Sequence, residues 1–308
     1  MDLSILIPVR NEEKNIIPLY AEIKQNLNAV KSYEIIFIDD GSKDLTFENL
    51  SKIAKKDSSV KAIKFKSNYG KGSALNAGMD LCTGKKILIM DGDGQHDPKY
   101  IPLFVEKLNH YDVVSSVRKG RKGFGPNVVS KSGSYLIRTL FNVNLKDGVG
   151  SMVALTGQVK ENILIYGNMF RYISILAIWK GFRVGEQEIV IRPRKEGKSK
   201  FKPFKGFKGF VDLLTLKFFF SYYSRPSHLF GSIGLTSSVI GIFSLLYLIV
   251  RKLIIGTAIS ANLPLFLLGI LLTVIGFNFI FFGLMGDMIS YNHMVQTNKK
   301  DYIIEKIV

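Results

Sequence analysis

The sequence predicts an α/β domain built on a doubly wound, mainly parallel sheet, followed by a hairpin of two membrane-crossing helices. Three observations carry this. Short β-branched runs alternate four times with amphipathic stretches before residue 91, the pattern of βαβ crossovers. Acidic clusters close two of those runs, at Asp39-Asp40 and at Asp91-Gly92-Asp93. Residues 229–286 are nearly free of charge, although 22% of the chain is charged.

The elements follow in order. Leu3–Val9 reads as the first strand, and Glu13–Val30 as a helix burying Ile16, Ile17, Leu19, Tyr20, Ile23 and Leu27. Tyr33–Ile38 is a second strand, and Thr46–Lys56 a helix with Asp44 as its N-terminal cap. Val60–Lys66, Lys71–Leu81 and Lys86–Met90 read as strand, helix and strand. Asp112–Val117 and Val184–Ile191 supply further strands. Cys82, the single cysteine, sits at a helix end and excludes an intrachain disulfide, so a buried inert thiol in a reducing compartment is expected.

Leu229–Val250 and Leu263–Gly286 contain 22 and 24 uncharged residues. As helices they reach roughly 33–36 Å, enough for a hydrocarbon core of about 30 Å. Lys200, Lys202, Lys205, Lys208, Lys217 and Arg225 precede the first span, and Lys299, Lys300 and Lys306 follow the second. The connector offers only Arg251 and Lys252. Basic residues favour the cytoplasmic side, so an integral membrane protein with catalytic domain and both termini in the cytoplasm is expected. Met1–Val9 lacks the basic start of a secretory signal, in agreement.

The 308 residues, net charge +17 and mean hydropathy +0.17 fit one soluble domain with a membrane appendage. The expected division is a catalytic domain over 1–205, a juxtamembrane segment over 206–227, the spans within 228–290 and a cytoplasmic tail over 291–308. Phe207–Tyr223 suits a helix lying in the interface or a linker helix packed on the domain. The basic, aromatic stretch Lys198–Lys208 reads as an acceptor clamp or a polybasic surface anchor. A nucleic-acid patch would use the same charges, but the position beside a span disfavours it, and no nucleic-acid partner is expected.

The chemistry lies at the strand ends, where an open α/β sheet binds its ligand. Asp91, Asp93 and Gln95 follow the fourth strand at alternate positions, so their oxygens can converge on one ion. Hard oxygen ligands select Mg²⁺ or Mn²⁺, with positions left for substrate phosphates. Asp39 and Asp40 offer acceptors for ribose hydroxyls or a base N–H, and Asp40-Gly41-Ser42 is also a good turn. Gly70, Gly72 and Gly78 favour a tight strand-to-helix turn over a phosphate cradle. His96, His110, His228 and His293, the four histidines, suggest no general base.

Four motifs in order, Pro8-Val9-Arg10-Asn11-Glu12, Asp39-Asp40-Gly41-Ser42-Lys43-Asp44-Leu45-Thr46, Asn68-Tyr69-Gly70-Lys71-Gly72 and Asp91-Gly92-Asp93-Gly94-Gln95-His96-Asp97-Pro98, resemble those of family 2 inverting glycosyltransferases. The similarity covers roughly residues 1–205 and is greatest to polyprenyl-phosphate sugar synthases, the dolichol-phosphate mannose synthase and bactoprenol glucosyltransferase type. It implies a Rossmann-like glycosyltransferase A-type fold. It also implies that Pro8, Arg10, Glu12, Ile38, Asp39, Asp40 and Gly92 line the nucleotide pocket, with Arg10 where the family usually has tyrosine. Asp91, Asp93 and Gln95 would hold the metal, and Arg118 would lie near the phosphates as a catalytic residue beside Asp91 and Asp93. Lys131, Arg194, Ser199 and Lys200 join Arg118 as candidates for the acceptor phosphate; Lys122 is an alternative to Lys131, near Pro126, where the family often carries arginine. Asp147 matches a family acidic residue, and Gly150-Ser151-Met152 replaces the usual Ser-Gly-Phe.

The implied reaction is inverting transfer of a sugar from a GDP- or UDP-linked donor to the phosphate of a membrane polyprenol. A glycosyltransferase acting on a hydroxyl acceptor, and a non-catalytic membrane scaffold with the same fold, are the alternatives. Association into a homo-oligomer through the two spans is compatible with either.

Overall fold

The computed structural model describes residues 1–28, 30–119, 137–163, 165, 167–193, 213, 215, 217, 218, 221, 222, 225–256 and 258–297. The chain forms two compact units, Met1–Leu214 and Thr215–Val308.

The first unit holds a seven-stranded sheet: β1 (Leu3–Val9), β2 (Tyr33–Asp39), β3 (Val60–Lys64), β4 (Lys86–Ile89), β5 (Val113–Lys119), β6 (Val153–Thr156) and β7 (Val184–Val190). Their spatial order is β3-β2-β1-β4-β6-β5-β7. β1 pairs in parallel with β2 and β4, β2 with β3, and β5 with β7. β6 runs antiparallel to both its neighbours, β4 and β5. β1 and β2 are buried on both faces, which is why they read as mainly apolar runs, interrupted by the buried polar residues Ser4 and Glu34.

The helices α1 (Ile16–Asn26), α2 (Thr46–Lys56) and α3 (Lys71–Leu81) connect the first four strands. α1 starts three residues later than expected because Glu12–Asn15 form a turn, with Asn15 N–H donating to the Glu12 carbonyl. Ile16, Leu19 and Ile23 fill the core at helical spacing, whereas Ile17 points to solvent at 56% exposure, contrary to expectation. One residue on from Ile16 is about 100° around the helix, which carries it off the buried stripe. Asp44 does serve the start of α2, its Oδ1 accepting from the Thr46 N–H at 3.1 Å and hydroxyl at 2.6 Å.

At the amino-terminal end of the sheet, Glu34 is buried among donors. Its carboxylate accepts from Ser4 Oγ at 2.7 Å, Thr83 N–H at 2.6 Å and Lys61 Nζ at 2.8 Å. Desolvation pushes its pKa up, but these donors outweigh it and bring it down to about 2. Cys82 is buried beside this network, as expected. β6 and the helices α4 (Ile101–Lys107), α5 (Gly157–Asn162) and α6 (Ile173–Trp179) were not anticipated.

The second unit contains α7 (Pro226–Ile255) and α8 (Leu263–Thr297), 30 and 35 residues long. Both are long and apolar enough to cross a membrane. α7 outruns the expected span, so Arg251 and Lys252 lie in its last turns; Gly256, at φ +76°, ends it. The two helices approach closely at a pair of glycines. A Cβ on Gly234 would lie 2.5 Å from the Gly276 carbonyl oxygen, so backbone packs on backbone as small residues permit. Ser227 N–H donates to Asp287 Oδ1 at 3.1 Å, tying the first turn of α7 to α8. Most of Phe207–Tyr223, with the tail after residue 297, lies outside the described residues.

Candidate active site

Two strand-end loops lock together at the carboxyl edge of the sheet. Asn11 N–H donates to Ser42 Oγ at 2.9 Å, and Lys43 N–H returns to Asn11 Oδ1 at 3.0 Å. Glu12 N–H donates to Thr46 Oγ1 at 2.8 Å, and Asp40 N–H to the Val9 carbonyl at 2.9 Å. The first two motifs therefore build one surface at the switch point, where β1 is flanked by β2 and β4.

A cleft of about 250 Å³ opens there, lined by Pro8, Val9, Arg10, Glu12, Asp40, Lys71, Asp91, Gly92 and Asp93. Five of the seven residues expected around the nucleotide line it, Pro8, Arg10, Glu12, Asp40 and Gly92, but their engagement differs. Arg10 does not stand alone: its guanidinium meets the amide oxygen of Asn68 from the third motif, with Nε at 3.0 Å. Asp40 accepts from the N–H groups of Tyr69 at 2.7 Å and Gly70 at 3.0–3.1 Å, so it shapes the turn into α3. Ile38 and Asp39 are fully buried and do not line the cleft. Asp39 Oδ1 accepts from the Ser42 N–H at 2.9 Å and its hydroxyl, while Oδ2 is buried with no hydrogen-bond partner.

Asp91 and Asp93 both line the cleft, with Gly92 between them. A side chain at Gly92 would run into Val9 Cγ1, so glycine lets the loop after β4 press against the end of β1. Lys71 Nζ forms an ion pair with Asp91 Oδ1. Gln95 departs from the expected three-oxygen convergence. Its Nε2 donates to the Arg192 carbonyl at 3.3 Å, and it does not line the cleft. Its N–H donates to Asp93 Oδ1 at 3.1 Å, an Asx turn that aims Asp93. Among the described residues no cluster of three or more His, Cys, Asp or Glu side chains is assembled for a metal.

His96 holds this loop from behind. Its Nδ1 accepts from Asp91 N–H at 3.0 Å, so the ring proton sits on Nε2, which donates to Ser151 Oγ at 2.9 Å. Burial is the main influence on its pKa and lowers it, against the pull of Asp91 and Asp93. Arg192 braces the same loop, reaching Glu22 at 2.5 Å and Asp97 at 2.9 Å.

A second cleft of about 320 Å³ shares Lys71 and Asp91 with the first. Arg118, Gly150, Ser151, Phe170 and Arg171 contribute to its walls. Arg118, at the end of β5, forks onto Asp147 with Nε at 2.9 Å and Nη2 at 3.3 Å. The pairing of these two positions joins residues 29 apart in sequence. Lys71 lies 5.0 Å and the Arg171 guanidinium 5.7 Å from the Phe170 ring centroid. Lys71 belongs to the third motif and opens α3 without a site role expected of it, and Phe170 and Arg171 belong to no motif. Lys122, Pro126, Lys131, Arg194, Ser199 and Lys200 lie outside the described residues.

Residues 4–157 match the family model described as glycosyl transferase family 2. The dodecaprenyl-phosphate galacturonate synthase of Rhizobium johnstonii is 31% identical over all of this chain and 93% of its own length. The prophage bactoprenol glucosyl transferase homolog of Escherichia coli is 28% identical, covering 100% of this chain and 99% of its own. The undecaprenyl-phosphate 4-deoxy-4-formamido-L-arabinose transferase of Proteus mirabilis is 30% identical over 99% and 94%. Among solved structures, the glucosyl-3-phosphoglycerate synthase of Mycobacterium tuberculosis, crystallised with Mn²⁺, UDP and phosphoglyceric acid, superposes with a TM-score of 0.56. It is 18% identical over 70% of this chain and 78% of its own, a likeness of fold. The resemblance carried by the four motifs is borne out: this chain is an enzyme of the glycosyltransferase type and belongs to glycosyl transferase family 2.

Proposed function

We propose that the chain transfers a sugar from a nucleoside-diphosphate donor to the phosphate of a membrane polyprenol, inverting the anomeric centre. The observation that carries this reading is the pair of clefts sharing Asp91 and Lys71, one acidic at Asp91 and Asp93, the other bearing Arg118 and Arg171. The names of the relatives, each a transferase or synthase linked to a polyprenyl phosphate or bactoprenol, support it.

In this reading the first cleft takes the GDP- or UDP-linked donor. Asp39 Oδ2, buried without a donor, is the acceptor available to a base or ribose N–H or O–H once the loop admits it. Pro8, Arg10, Glu12, Asp40 and Gly92 shape the nucleotide site, with Ile38 buried in β2 rather than on the cleft wall. Asp91 and Asp93 suit Mg²⁺ or Mn²⁺, because one or two carboxylates plus substrate phosphates are a usual oxygen set for such ions. A divalent cation bound there would neutralise charge developing on the leaving diphosphate.

Arg118, oriented by Asp147, stabilises anionic oxygens in the second cleft. The acceptor phosphate is already ionised near neutral pH, so its oxygen attacks C1 as the C1–O bond to the diphosphate breaks. The electron pair leaves with the nucleoside diphosphate, and no base is needed. A hydroxyl acceptor would require one. Among the described residues, the only carboxylate lining the second cleft is Asp91, which Lys71 engages.

The catalytic domain over 1–205, joined through a juxtamembrane segment over 206–227, would then work at the cytoplasmic surface, with α7 and α8 in the bilayer and the tail, 291–308, on the same side. Lys131, Arg194, Ser199 and Lys200 would join Arg118 at the acceptor phosphate. The test is to incubate membranes containing the chain with a panel of labelled GDP- and UDP-sugars and extract the lipids. Label in an acid-labile polyprenyl phosphate fraction is expected; label only in polymer or glycolipid would overturn the assignment of acceptor.

A further inference from the structure

Three cations face the second cleft: Lys71, Arg118 and Arg171. Two of them are balanced by acids, Lys71 by Asp91 and Arg118 by Asp147. Arg171 differs. Among the described residues its guanidinium packs on Phe170, 5.7 Å from the ring centroid, and pairs with no carboxylate. A guanidinium within cation–π reach of a ring commits no hydrogen bond to a fixed acceptor, so its N–H donors stay available to a ligand. Phe170 thus presents Arg171 on the same ring that carries Lys71.

We infer that Arg171 seats a phosphate monoester in the second cleft, and that it is the residue through which the enzyme recognises the acceptor's charged head. This rests on the reading of a phosphorylated lipid acceptor given above and adds a position outside every motif. The cleft supplies what a phosphate needs: an uncompensated positive charge at Arg171, and a second guanidinium at Arg118 held rigid by its carboxylate partner. Ser151, which His96 fixes in place, adds a hydroxyl to the wall. Arg171 itself is exposed, so its replacement should leave the fold intact.

The test uses the full chain in detergent micelles and needs no sugar donor. Binding of farnesyl phosphate, farnesol and inorganic phosphate is measured by titration calorimetry for the wild type, Arg171→Ala and Arg171→Lys. Farnesyl phosphate should bind the wild type more tightly than farnesol does. Arg171→Ala should weaken farnesyl phosphate about 10- to 100-fold, the range for loss of a charge-assisted contact, and leave farnesol unchanged. Arg171→Lys should recover part of the loss. Inorganic phosphate binding that falls in parallel would locate recognition in the phosphate alone; retained phosphate binding in the alanine variant would overturn the seat.

Binding of UDP and GDP with Mg²⁺ serves as the folding control and should stay within about twofold. A wild type that binds farnesyl phosphate no better than farnesol would sink the acceptor reading itself. A wild type that discriminates, with Arg171→Ala discriminating equally, would sink only the role of Arg171.

Discussion

Lys71 and Asp91 form an ion pair in the wall common to the two clefts. The pair puts a cation on one of the two carboxylates proposed for a metal. The ammonium is an internal counter-ion there, and a divalent ion must compete with it for Asp91. Replacing Lys71 by glutamine should therefore tighten Mn²⁺ binding when no nucleotide is present. Both partners are partly exposed, at 29% and 33%, so the gain should be modest, about threefold to fivefold. Paramagnetic titration with Mn²⁺ measures it; unchanged or weaker binding would show that Lys71 does not compete for this site.

Asp93 and Gln95 separate two roles that sequence spacing alone merged. Asp93 lines the donor cleft, whereas Gln95 Nε2 is turned to the Arg192 carbonyl. Asp93→Ala should reduce sugar transfer at least about 100-fold, the scale for removing a group that stabilises transition-state charge, while expression and membrane insertion persist. Gln95→Ala should cost far less, because the Asx turn to Asp93 uses the Gln95 backbone N–H, not its side chain. Equal losses in the two variants would mean that Gln95 swings into the cleft with the donor.

Asp39 offers a cleaner dissection of binding from stability. Asp39→Asn keeps the shape and the oxygen that accepts from Ser42, but turns the buried Oδ2 position into a donor. If that oxygen accepts from the nucleotide, affinity for UDP or GDP should fall about 10- to 100-fold. Thermal stability without nucleotide should hold or rise, since a buried carboxylate oxygen without a donor is costly. Calorimetric titration and a melt distinguish the outcomes, and a variant that binds nucleotide normally would remove Asp39 from the pocket.

The parts legible in the sequence were those with a local cause. β1, β2 and β4 are mainly apolar runs and β3 alternates apolar residues with Lys61 and Lys64, while α2 and α3 have the bounds that periodicity assigns. The loops at 8–12, 39–46 and 91–95 could be placed at strand ends because each motif abuts such a run. What escaped depended on distant partners. β6 is four residues long and buried between β4 and β5, so neither length nor alternation marks it. Gln95 has the spacing of a ligand, but Arg192, 97 positions away, decides where its amide points. Phe170 and Arg171 reach the cleft only because a short helical turn over Gly167–Tyr172 packs near α3.

Glu34 supplies a pH dependence remote from the site. Its folded pKa of about 2 lies below the ordinary glutamate value of 4.5. The ionised form therefore contributes stability that is present above about pH 4.5 and is lost as pH falls toward 2. The carboxylate is 1% exposed and meets Ser4 of β1, Lys61 of β3 and Thr83 of the turn after α3, so the contribution is of order 3 kcal/mol at neutral pH. Glu34→Gln mimics the protonated side chain and should forfeit much of it at pH 7. The same variant should lose less than the wild type on acidification from pH 5 to pH 3. Guanidinium unfolding in detergent, followed by the fluorescence of Trp179, the single tryptophan, reads this unit directly. Parallel acid limbs for the two proteins would mean that Glu34 does not carry the dependence, and that the donors around it serve the neutral carboxyl equally well.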